Sequence, residues 1–348
     1  MLKSKIESIL LNFIVAAIAG FVFSILRIPL PWLLGPLTGA IIYNAMSDNR
    51  AYWPVSLRNL ALIVMGYSMG RTMTIETARQ FVGDLPAMLA ATLLTLIFGV
   101  VVGYITCRKT GVSLASGVLG SMPGGLTQML LLTEEIDDSD LAVVTLMQTA
   151  RILAVIFLVP FVATYGLASS VPAGQLLPAA VTESGFVKAL PAIIMAPVGA
   201  WLACRLKVPT PYLLGPIFAT AAAVMIGSPA PAVPRGMLNA AQIFFGVFMG
   251  IGISLESLKQ LGRVFPYAIG GALAMVAMSF TIAFGLTLFI PSTLLTTFLS
   301  TAPGGMAEMG ITAVILHADI TTVVSFQAFR LLSILLAIPP LLKWRFNR

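Results

Sequence analysis

The amino-acid sequence predicts an all-α polytopic membrane protein made of two inverted repeats. Each repeat is expected to contain five transmembrane helices plus one re-entrant segment that is broken by Pro-Gly-Gly. Three observations predict this fold class. The composition is far more apolar than that of a soluble protein, four motifs occur twice in the same order, and two apolar segments are each interrupted by Pro-Gly-Gly.

The composition excludes most soluble classes of protein. Of the 348 residues, 58% are hydrophobic and 9% are charged, whereas soluble domains carry about 25% charged residues. The mean hydropathy is +0.99. A soluble enzyme, a disordered regulator and a secreted disulfide scaffold are therefore excluded. Because lipid offers no partners to backbone polar groups, helices that pair their own backbone are the expected spanning elements.

The net charge of +7 does not indicate a nucleic-acid partner. The Lys and Arg residues are dispersed at segment ends and form no basic stripe of the kind that DNA binding requires. In a membrane protein such an excess is the usual positive-inside bias. Cys107, Cys204 and His317 are too few and too far apart for a metal centre. We therefore expect no nucleic-acid partner, no bound metal and no cofactor.

One set of motifs is present twice, which indicates a tandem duplication. The copies of the first three motifs are 180 positions apart, and those of the fourth are 179 apart. The pairs are LRIPLPWLLGP (26–36) and LKVPTPYLLGP (206–216), ALIVMGYSMGRTMTIETARQ (61–80) and AQIFFGVFMGIGISLESLKQ (241–260), SMPGGLTQM (121–129) and TAPGGMAEM (301–309), and DLAVVTLMQTARIL (140–153) and DITTVVSFQAFRLL (319–332). We predict a first membrane repeat over 1–165, a polar connector over 166–185 and a second repeat over 186–348.

Each repeat contains five long apolar segments, most of them close to the length of about 20 residues that a spanning helix needs. Those of the first repeat lie near 9–26, 32–47, 57–75, 85–107 and 141–165. Those of the second repeat lie near 186–204, 212–228, 237–255, 266–290 and 320–341. Within the third segments, Gly66 and Gly70 form a Gly-x-x-x-Gly pattern that is typical of close helix packing.

One further segment of each repeat, 112–134 and 294–316, is interrupted by Pro-Gly-Gly. Proline lacks a backbone donor and glycine is conformationally loose, so each segment is predicted to form two half-helices of about ten residues. The second half-helices are predicted to begin at Leu126 and Met306. Two arrangements stay open, a re-entrant hairpin and a broken helix that crosses the membrane.

The positive-inside rule favours the re-entrant arrangement. If both broken segments are re-entrant, the second repeat is inverted relative to the first and the chain has ten spans. This topology places more Lys and Arg residues in the cytoplasm than the topology with two crossing segments. It also places the N- and C-termini in the cytoplasm.

The duplicated pattern, with LLGP early and Pro-Gly-Gly late in each half, resembles the AbrB family of bacterial inner-membrane proteins. The likeness covers nearly the whole chain and includes all four motif pairs. It implies a multi-pass inner-membrane protein and, from the family's label, a regulator of gene expression. A second label, ammonia monooxygenase, requires a redox metal that one histidine and two distant cysteines do not hold. The chain has none of the character of the unrelated soluble DNA-binding regulator that shares the name.

The strongest candidates for a solute-binding site are the two breaks. They consist of Pro123, Gly124, Gly125, Pro303, Gly304 and Gly305. A helix that is broken inside the membrane frees backbone groups and exposes the positive N-terminus of the next half-helix, an arrangement that transporters use to bind solutes and ions. The alternative is that the two prolines only shape tight turns at the membrane surface.

Glu308 and its counterpart Gln128 lie three residues beyond the glycine pairs. A carboxylate in an otherwise apolar segment is a functional candidate, since ionisable groups in a membrane are costly. Glu308 is expected to bind a proton or a sodium ion, and Gln128 to offer neutral hydrogen bonds. The alternative is an exposed acid at the mouth of a hairpin, without a role.

Each final helix is predicted to present a polar stripe that faces protein or water. The stripes consist of Asp140, Gln148 and Arg151, and of Asp319, Gln327 and Arg330. Spacings of three and eleven residues bring these side chains to the same helix face. The functional interpretation is that the arginines bind an anion. The structural alternative is that they cap the carbonyl groups of the broken helices or pair with an acid.

The acidic run Glu134, Glu135, Asp137, Asp138 and Asp140 resembles a cation site. Such runs are usually solvated turns, and carboxylates suit hard cations only where geometry converges them. The second half lacks the corresponding acids. We therefore predict no metal site here.

These patterns favour a secondary transporter of a small anionic or zwitterionic solute, coupled to protons or sodium. The alternative is a membrane-embedded regulator of gene expression, as the family label implies. An intramembrane enzyme is least favoured, because the spans contain no paired aspartates, HExxH-type motif or Ser–His pair. The expected partners are the lipid bilayer and the solute, and the oligomeric state, including a homo-oligomer, stays open.

Overall fold

The computed structural model describes residues 2–47, 51–136, 138–167, 186–253 and 262–346, and these residues contain helices and no β-strand. Most of the predicted connector 166–185 lies outside the described residues. The helices of the first half are α1 (Leu2–Ile25), α2 (Pro31–Met46), α3 (Val55–Gly70), α4 (Ile75–Thr110), α5 (Leu114–Ser121), α6 (Leu126–Glu135) and α7 (Leu141–Phe161), which continues as a π-helix over Val162–Leu167. Those of the second half are α8 (Phe186–Arg205), α9 (Pro211–Met225), α10 (Arg235–Ile251), α11 (Phe265–Leu286), α12 (Leu294–Thr301), α13 (Met306–Ile315) and α14 (Ile320–Phe346).

The helices of the two halves begin at corresponding positions. The pairs α2 and α9, α3 and α10, α5 and α12, and α6 and α13 each begin 180 residues apart, which is the offset of the sequence motifs. The residues before α2 and α9, Leu30 and Thr210, both have a left-handed backbone, with φ of 49° and 44°. Because a positive φ is uncommon outside glycine, the same unusual turn precedes both LLGP helices.

Both interrupted segments are divided into two short helices, as Pro-Gly-Gly predicts. α5 and α12 contain 8 residues each, and α6 and α13 contain 10 each. The second helices begin at Leu126 and Met306, the predicted positions. The first helices begin after Ser113 and Thr293, whose hydroxyl oxygens accept hydrogen bonds from backbone N–H groups three residues later, at 3.1 and 3.2 Å. Such N-caps fix where a helix starts.

Five helices in the described part of the chain are long and apolar enough to cross a membrane. They lie over Glu7–Ile25, Arg79–Thr110, Leu141–Leu167, Phe265–Leu286 and Ile320–Phe346. The apolar helices α2, α3, α9 and α10 contain only 15 to 17 residues. That is roughly 24 Å of helix, against a hydrocarbon core of about 30 Å. The sequence predicts ten spans, and these four helices fall short partly because a proline at the first turn of α2 and α9 fixes where the helix begins.

The chain forms two compact units, and each of them contains helices from both halves. The first unit contains α1–α3, α8–α10 and residues 310–321. The second unit contains most of α4, α5–α7, α11, α12, the start of α13 and most of α14. Both Pro-Gly-Gly breaks therefore belong to the second unit.

In the first unit, glycines allow helices of different halves to approach closely. Gly66 of α3 lies against α9, where an added Cβ would be 2.7 Å from the carbonyl oxygen of Leu213. Gly246 of α10 lies against α2 in the corresponding way, with an added Cβ 2.6 Å from the carbonyl oxygen of Leu33. These contacts account for the Gly-x-x-x-Gly pattern as a packing element.

The core of the second unit surrounds the first break. Met122 in the break and Met129 of α6 are buried in a cluster with Ile334, Ile338 and Leu342 of α14. A second cluster joins the beginnings of α7 and α11 through Met147 and other apolar side chains. The broken segment is thus held between long helices inside the unit.

Candidate functional site

The prolines of both breaks are buried in the protein. The first break joins α5 to α6 through extended backbone, with ψ of 133° at Met122 and 135° at Gly125. Pro123 and Pro303, which end the preceding helices, are both buried. Gly305, the last residue of the second break, is exposed.

Two side chains of α7 bind the carbonyl oxygens that the first break frees. Gln148 Nε2 donates to the carbonyl oxygens of Leu119 and Met122, at 2.7 and 3.0 Å. Arg151 Nη1 also donates to Met122, and its Nη2 donates to the carbonyl oxygen of Gly124 at 2.9 Å. Gln148 is fully buried and Arg151 is 5% exposed, so these hydrogen bonds replace those that water would otherwise supply.

The second break has the same pattern, formed by α14. Gln327 Nε2 donates to the carbonyl oxygens of Leu299 and Ala302, at 2.8 and 3.1 Å. Arg330 Nη1 donates to Ala302 at 2.8 Å, and Nη2 donates to the carbonyl oxygen of Gly304 at 2.8 Å. Arg330 Nη2 also donates to Gln327 Oε1 at 2.5 Å. Both side chains are buried.

The geometry therefore gives each arginine a structural task. The sequence left open whether the arginines bind an anion or cap the carbonyl groups of the broken helices, and the hydrogen bonds of Arg151 and Arg330 are those of a cap. A guanidinium suits this task because it presents several donors in a fixed plane. Capping does not use every donor, since Nε of Arg151 has no hydrogen-bond partner among the described residues.

Gln128 and Glu308 occupy the first turns of α6 and α13 and fold back over the breaks. A Cβ added at Gly125 would be 3.3 Å from Gln128 Oε1. A Cβ added at Gly305 would be still closer to the Glu308 carboxylate. Glu308 is 7% exposed. The carboxylate thus lies at the positive N-terminus of α13, a place that favours a negative charge.

The electrostatic feature of the site is two buried positive charges. The guanidiniums of Arg151 and Arg330 belong to the same unit, and both side chains are buried. In the described part of the chain, their hydrogen bonds go to neutral carbonyl and amide oxygens, and none goes to a carboxylate. Buried charges are costly unless they are compensated, so this region favours an anion.

Each break also packs against the final helix of the other half. An added Cβ at Gly304 would be 2.9 Å from Cγ1 of Val155 in α7. In the first break, Met122 is buried in one cluster with Ile334 of α14. The second unit therefore brings together all twelve candidate residues of the two breaks and the two final helices.

Two members of the predicted polar stripes lie elsewhere. Asp140 accepts a hydrogen bond of 2.8 Å from the N–H of Ala142 and caps the start of α7. Asp319 accepts one of 3.0 Å from the N–H of Thr321 at the start of α14. Of the acidic run, Asp137 lies outside the described residues, and no three His, Cys, Asp or Glu side chains that are described converge on a metal position.

Sequence reasoning did not single out Ser121. This residue ends α5, immediately before the first break, and it is 5% exposed. Ser121 lines a small cavity together with Arg151. The available signal was a hydroxyl residue before Pro-Gly-Gly in both motif copies, Ser121 and Thr301.

A chain of apolar helices in which two segments are divided by Pro-Gly-Gly defines a polytopic helical protein of membrane type. The chain belongs to the AbrB family, whose model, described as "Transition state regulatory protein AbrB", matches residues 32–346. The resemblance seen in the duplicated motifs is thereby confirmed.

Two relatives match nearly the whole chain. "Uncharacterized protein YhjN" of Bacillus subtilis (strain 168) is 26% identical over 350 residues, which cover 94% of this chain and 90% of the relative. "Putative regulator AbrB" of Escherichia coli (strain K12) is 27% identical over 323 residues, which cover 92% of each chain. The word regulator belongs to the name of the E. coli protein.

Proposed function

We propose that the protein is a secondary transporter of a small anionic or zwitterionic solute, which binds beside the two broken helices of the second unit. The observation that carries the proposal is the pair of buried guanidiniums, Arg151 and Arg330, whose hydrogen bonds within the described residues go to neutral oxygens. An anionic solute supplies the missing negative charge. Broken helices beside such a site are typical of secondary transporters.

Opposite directions of corresponding helices support inverted repeats in the first unit. Trp53, just before α3, donates from its Nε1 to the carbonyl oxygen of Phe244 inside α10, at 3.1 Å. Tyr67, near the end of α3, donates to the carbonyl oxygen of Pro231 just before α10, at 3.0 Å. The end of α3 is thus near the beginning of α10, although the two helices correspond in sequence.

The second unit gives the same support. Val102, late in α4, lies against Gly271, early in α11, since a Cβ added at this glycine would contact the valine side chain. Met88, early in α4, is buried in one cluster with Leu286 at the end of α11. The corresponding helices α4 and α11 therefore run in opposite directions. Opposed repeats of this kind generate the two alternating faces of a secondary transporter.

In this proposal the two breaks are tips of re-entrant segments that enter from opposite membrane faces. The chain is an inner-membrane protein with ten spans, cytoplasmic termini and no enzymatic activity. Glu308, a buried carboxylate beside the second break, exchanges the proton or sodium ion that couples transport.

Uptake into proteoliposomes tests this function. The probes are radiolabelled formate, lactate, succinate, glycine and glutamate, driven by an imposed proton or sodium gradient. We expect the wild-type chain to concentrate at least one probe, and Glu308→Gln to lower gradient-driven uptake at least tenfold. Asp140→Asn is the matched control, because it removes a carboxylate that caps α7 and leaves a side chain that caps equally well.

Two results contradict the proposal. Uptake that never exceeds that of protein-free liposomes, for any probe and either gradient, contradicts transport. Uptake that is the same in Glu308→Gln and in the wild type contradicts the coupling role of this residue.

The name of the E. coli relative favours a second candidate, a membrane-embedded regulator of gene expression. A direct regulator would act without moving a solute. Transcript changes in a deletion strain would then be reversed by Glu308→Gln, the variant that is expected to lose gradient-driven uptake. Reversal by the wild-type chain alone favours transport as the origin of the transcript changes.

A further inference from the structure

We infer that the second unit has one anion-binding pocket per chain, in which Ser121 and Arg151 hold a single anionic atom. The atom is either a free halide ion or one oxygen of a carboxylate. This inference rests on the proposed transport of an anionic solute and deepens it, because it assigns the binding task to one half of the duplicated site.

The pocket is a small cavity between α4, α5, α7 and α11. It is lined by Val102, Gly120, Ser121, Met147, Arg151, Ala268, Gly271, Ala272 and Met275. Its free volume is that of about one water molecule. Gly120 and Gly271 belong to its wall, where an added Cβ would be 2.6 Å from Sδ of Met147 and 2.7 Å from Cγ1 of Val102.

Two polar atoms of residues that line this cavity are buried without a hydrogen-bond partner among the described residues. They are Nε of Arg151 and Oγ of Ser121, and both side chains are 5% exposed. The other two nitrogens of Arg151 are held by Met122 and Gly124, which fixes the orientation of the guanidinium. A buried donor without a partner costs about 1–3 kcal/mol, so a ligand that accepts from both atoms is favoured.

The remaining wall decides between an anion and a water molecule. An ordered water that accepts from Arg151 can donate one hydrogen to Ser121, but its second hydrogen needs a further acceptor. The other side chains that line the cavity are apolar, and they include Met147, Ala268 and Met275. An anionic atom needs donors only, and its charge compensates the buried guanidinium. The pocket therefore suits an anion better than water.

The corresponding position in the second half is filled. Thr301, the counterpart of Ser121, donates its hydroxyl to the carbonyl oxygen of Ser279 at 2.9 Å. Gly271 is replaced by Ala91, and Met147 by Phe326, and both larger side chains are buried in one apolar cluster. Arg330 is accordingly a structural cap, and Arg151 has both tasks.

Binding of chloride and of formate to the detergent-purified full chain tests the pocket. Chloride is followed by ³⁵Cl NMR line broadening, and ¹³C-formate by saturation transfer, both at constant ionic strength. We expect saturable binding of at least one of the two anions. Chloride alone assigns a free halide to the pocket, and formate assigns the carboxylate of the solute.

Ser121→Ala is the decisive variant, since it removes a hydroxyl that has no partner among the described residues and should not lower the thermal stability. We expect it to weaken anion binding at least tenfold, as loss of a hydrogen bond to a charged group does. Thr301→Val is the matched control. It removes a hydroxyl that is hydrogen-bonded, so it should lower the thermal stability and leave anion binding unchanged.

Any one of three results overturns the inference. Neither anion binds the wild type, Ser121→Ala binds anions as tightly as the wild type, or Thr301→Val weakens anion binding as much as Ser121→Ala does.

The proposed function fails separately. Anion binding that depends on Ser121 without any uptake in proteoliposomes would remove the transport role and leave the pocket. Uptake that is unchanged in Ser121→Ala would remove the pocket and leave transport.

Discussion

Arg151 donates a hydrogen bond of 2.9 Å to the carbonyl oxygen of Gly124, the first glycine of the break in its own half. Arg330 makes the equivalent bond of 2.8 Å to Gly304. A broken helix leaves carbonyl groups without partners, and within an apolar protein only a side chain or trapped water satisfies them. The two arginines are therefore part of the breaks themselves, and the chain is expected to lose stability without them.

Arg330→Gln tests this structural role. It removes charge-assisted hydrogen bonds to Ala302 and Gly304, and each such bond contributes about 1.5–3 kcal/mol. We expect the free energy of unfolding to fall by about 3 kcal/mol or more, measured by denaturation in detergent. Arg235→Gln, at an exposed position, is the control and should change stability by less than about 0.5 kcal/mol. Equal effects of the two substitutions would contradict the role as a cap.

Gly305→Ala tests the position of the Glu308 carboxylate. A Cβ at Gly305 would collide with this carboxylate, whereas a Cβ at Gly125 would lie 3.3 Å from Gln128 Oε1. We expect Gly305→Ala to destabilise the chain by about 1 kcal/mol, and Gly125→Ala to be neutral or to stabilise it by up to about 1 kcal/mol. Combining Glu308→Ala with Gly305→Ala should remove the destabilisation that Gly305→Ala causes alone. A destabilisation that persists in the double variant would show that the collision is with another group.

The sequence predicts the breaks better than the pocket beside them. Proline and two glycines act locally, so the starts of the second half-helices at Leu126 and Met306 follow directly from the motif. Helix periodicity predicts that Gln148 and Arg151 share one face, as do Gln327 and Arg330, but it leaves open whether the arginines cap carbonyl groups or bind an anion. The open cavity depends instead on a difference between distant residues, Gly271 in one half and Ala91 in the other, which becomes visible only when their neighbours are known.

The packing of the two halves against each other could not be predicted from the sequence either. The motif pairs divide the chain into a first and a second half, but the compact units combine helices of both halves. Contacts such as that of Gly66 with Leu213 join residues that are far apart in the chain. No periodicity within one helix indicates which other helix it will contact.

Two glycines of α10 test the close approach to α2. An added Cβ at Gly246 would be 2.6 Å from the carbonyl oxygen of Leu33, and one at Gly236 has nothing within 4 Å. We expect Gly246→Ala to lower the free energy of unfolding by about 1–3 kcal/mol, as overpacking does. Gly236→Ala should raise it by about 0.5–1 kcal/mol through helix propensity. Thermal unfolding of the two variants in detergent gives the comparison, and the same sign for both would contradict the close packing.

The cap at the start of α7 gives a smaller effect. Asp140→Ala removes the acceptor for the N–H of Ala142, and loss of such a cap costs about 1 kcal/mol. Asp140→Asn should restore most of the stability, since asparagine caps as well as aspartate does. If both variants retain wild-type stability, Asp140 does not act as a cap.

The central claim is that the two broken segments are re-entrant within inverted repeats, and labelling of single cysteines tests it most directly. In a chain whose Cys107 and Cys204 are replaced by serine, cysteines are introduced by Asp138→Cys, Ser292→Cys and Arg345→Cys. Intact inner-membrane vesicles of known orientation are then treated with a membrane-impermeant maleimide. The account predicts that 138 and 345 are labelled from the cytoplasmic side and 292 from the opposite side. Labelling of 138 and 345 from opposite sides would contradict it, because both broken segments would then cross the membrane and the halves would be parallel.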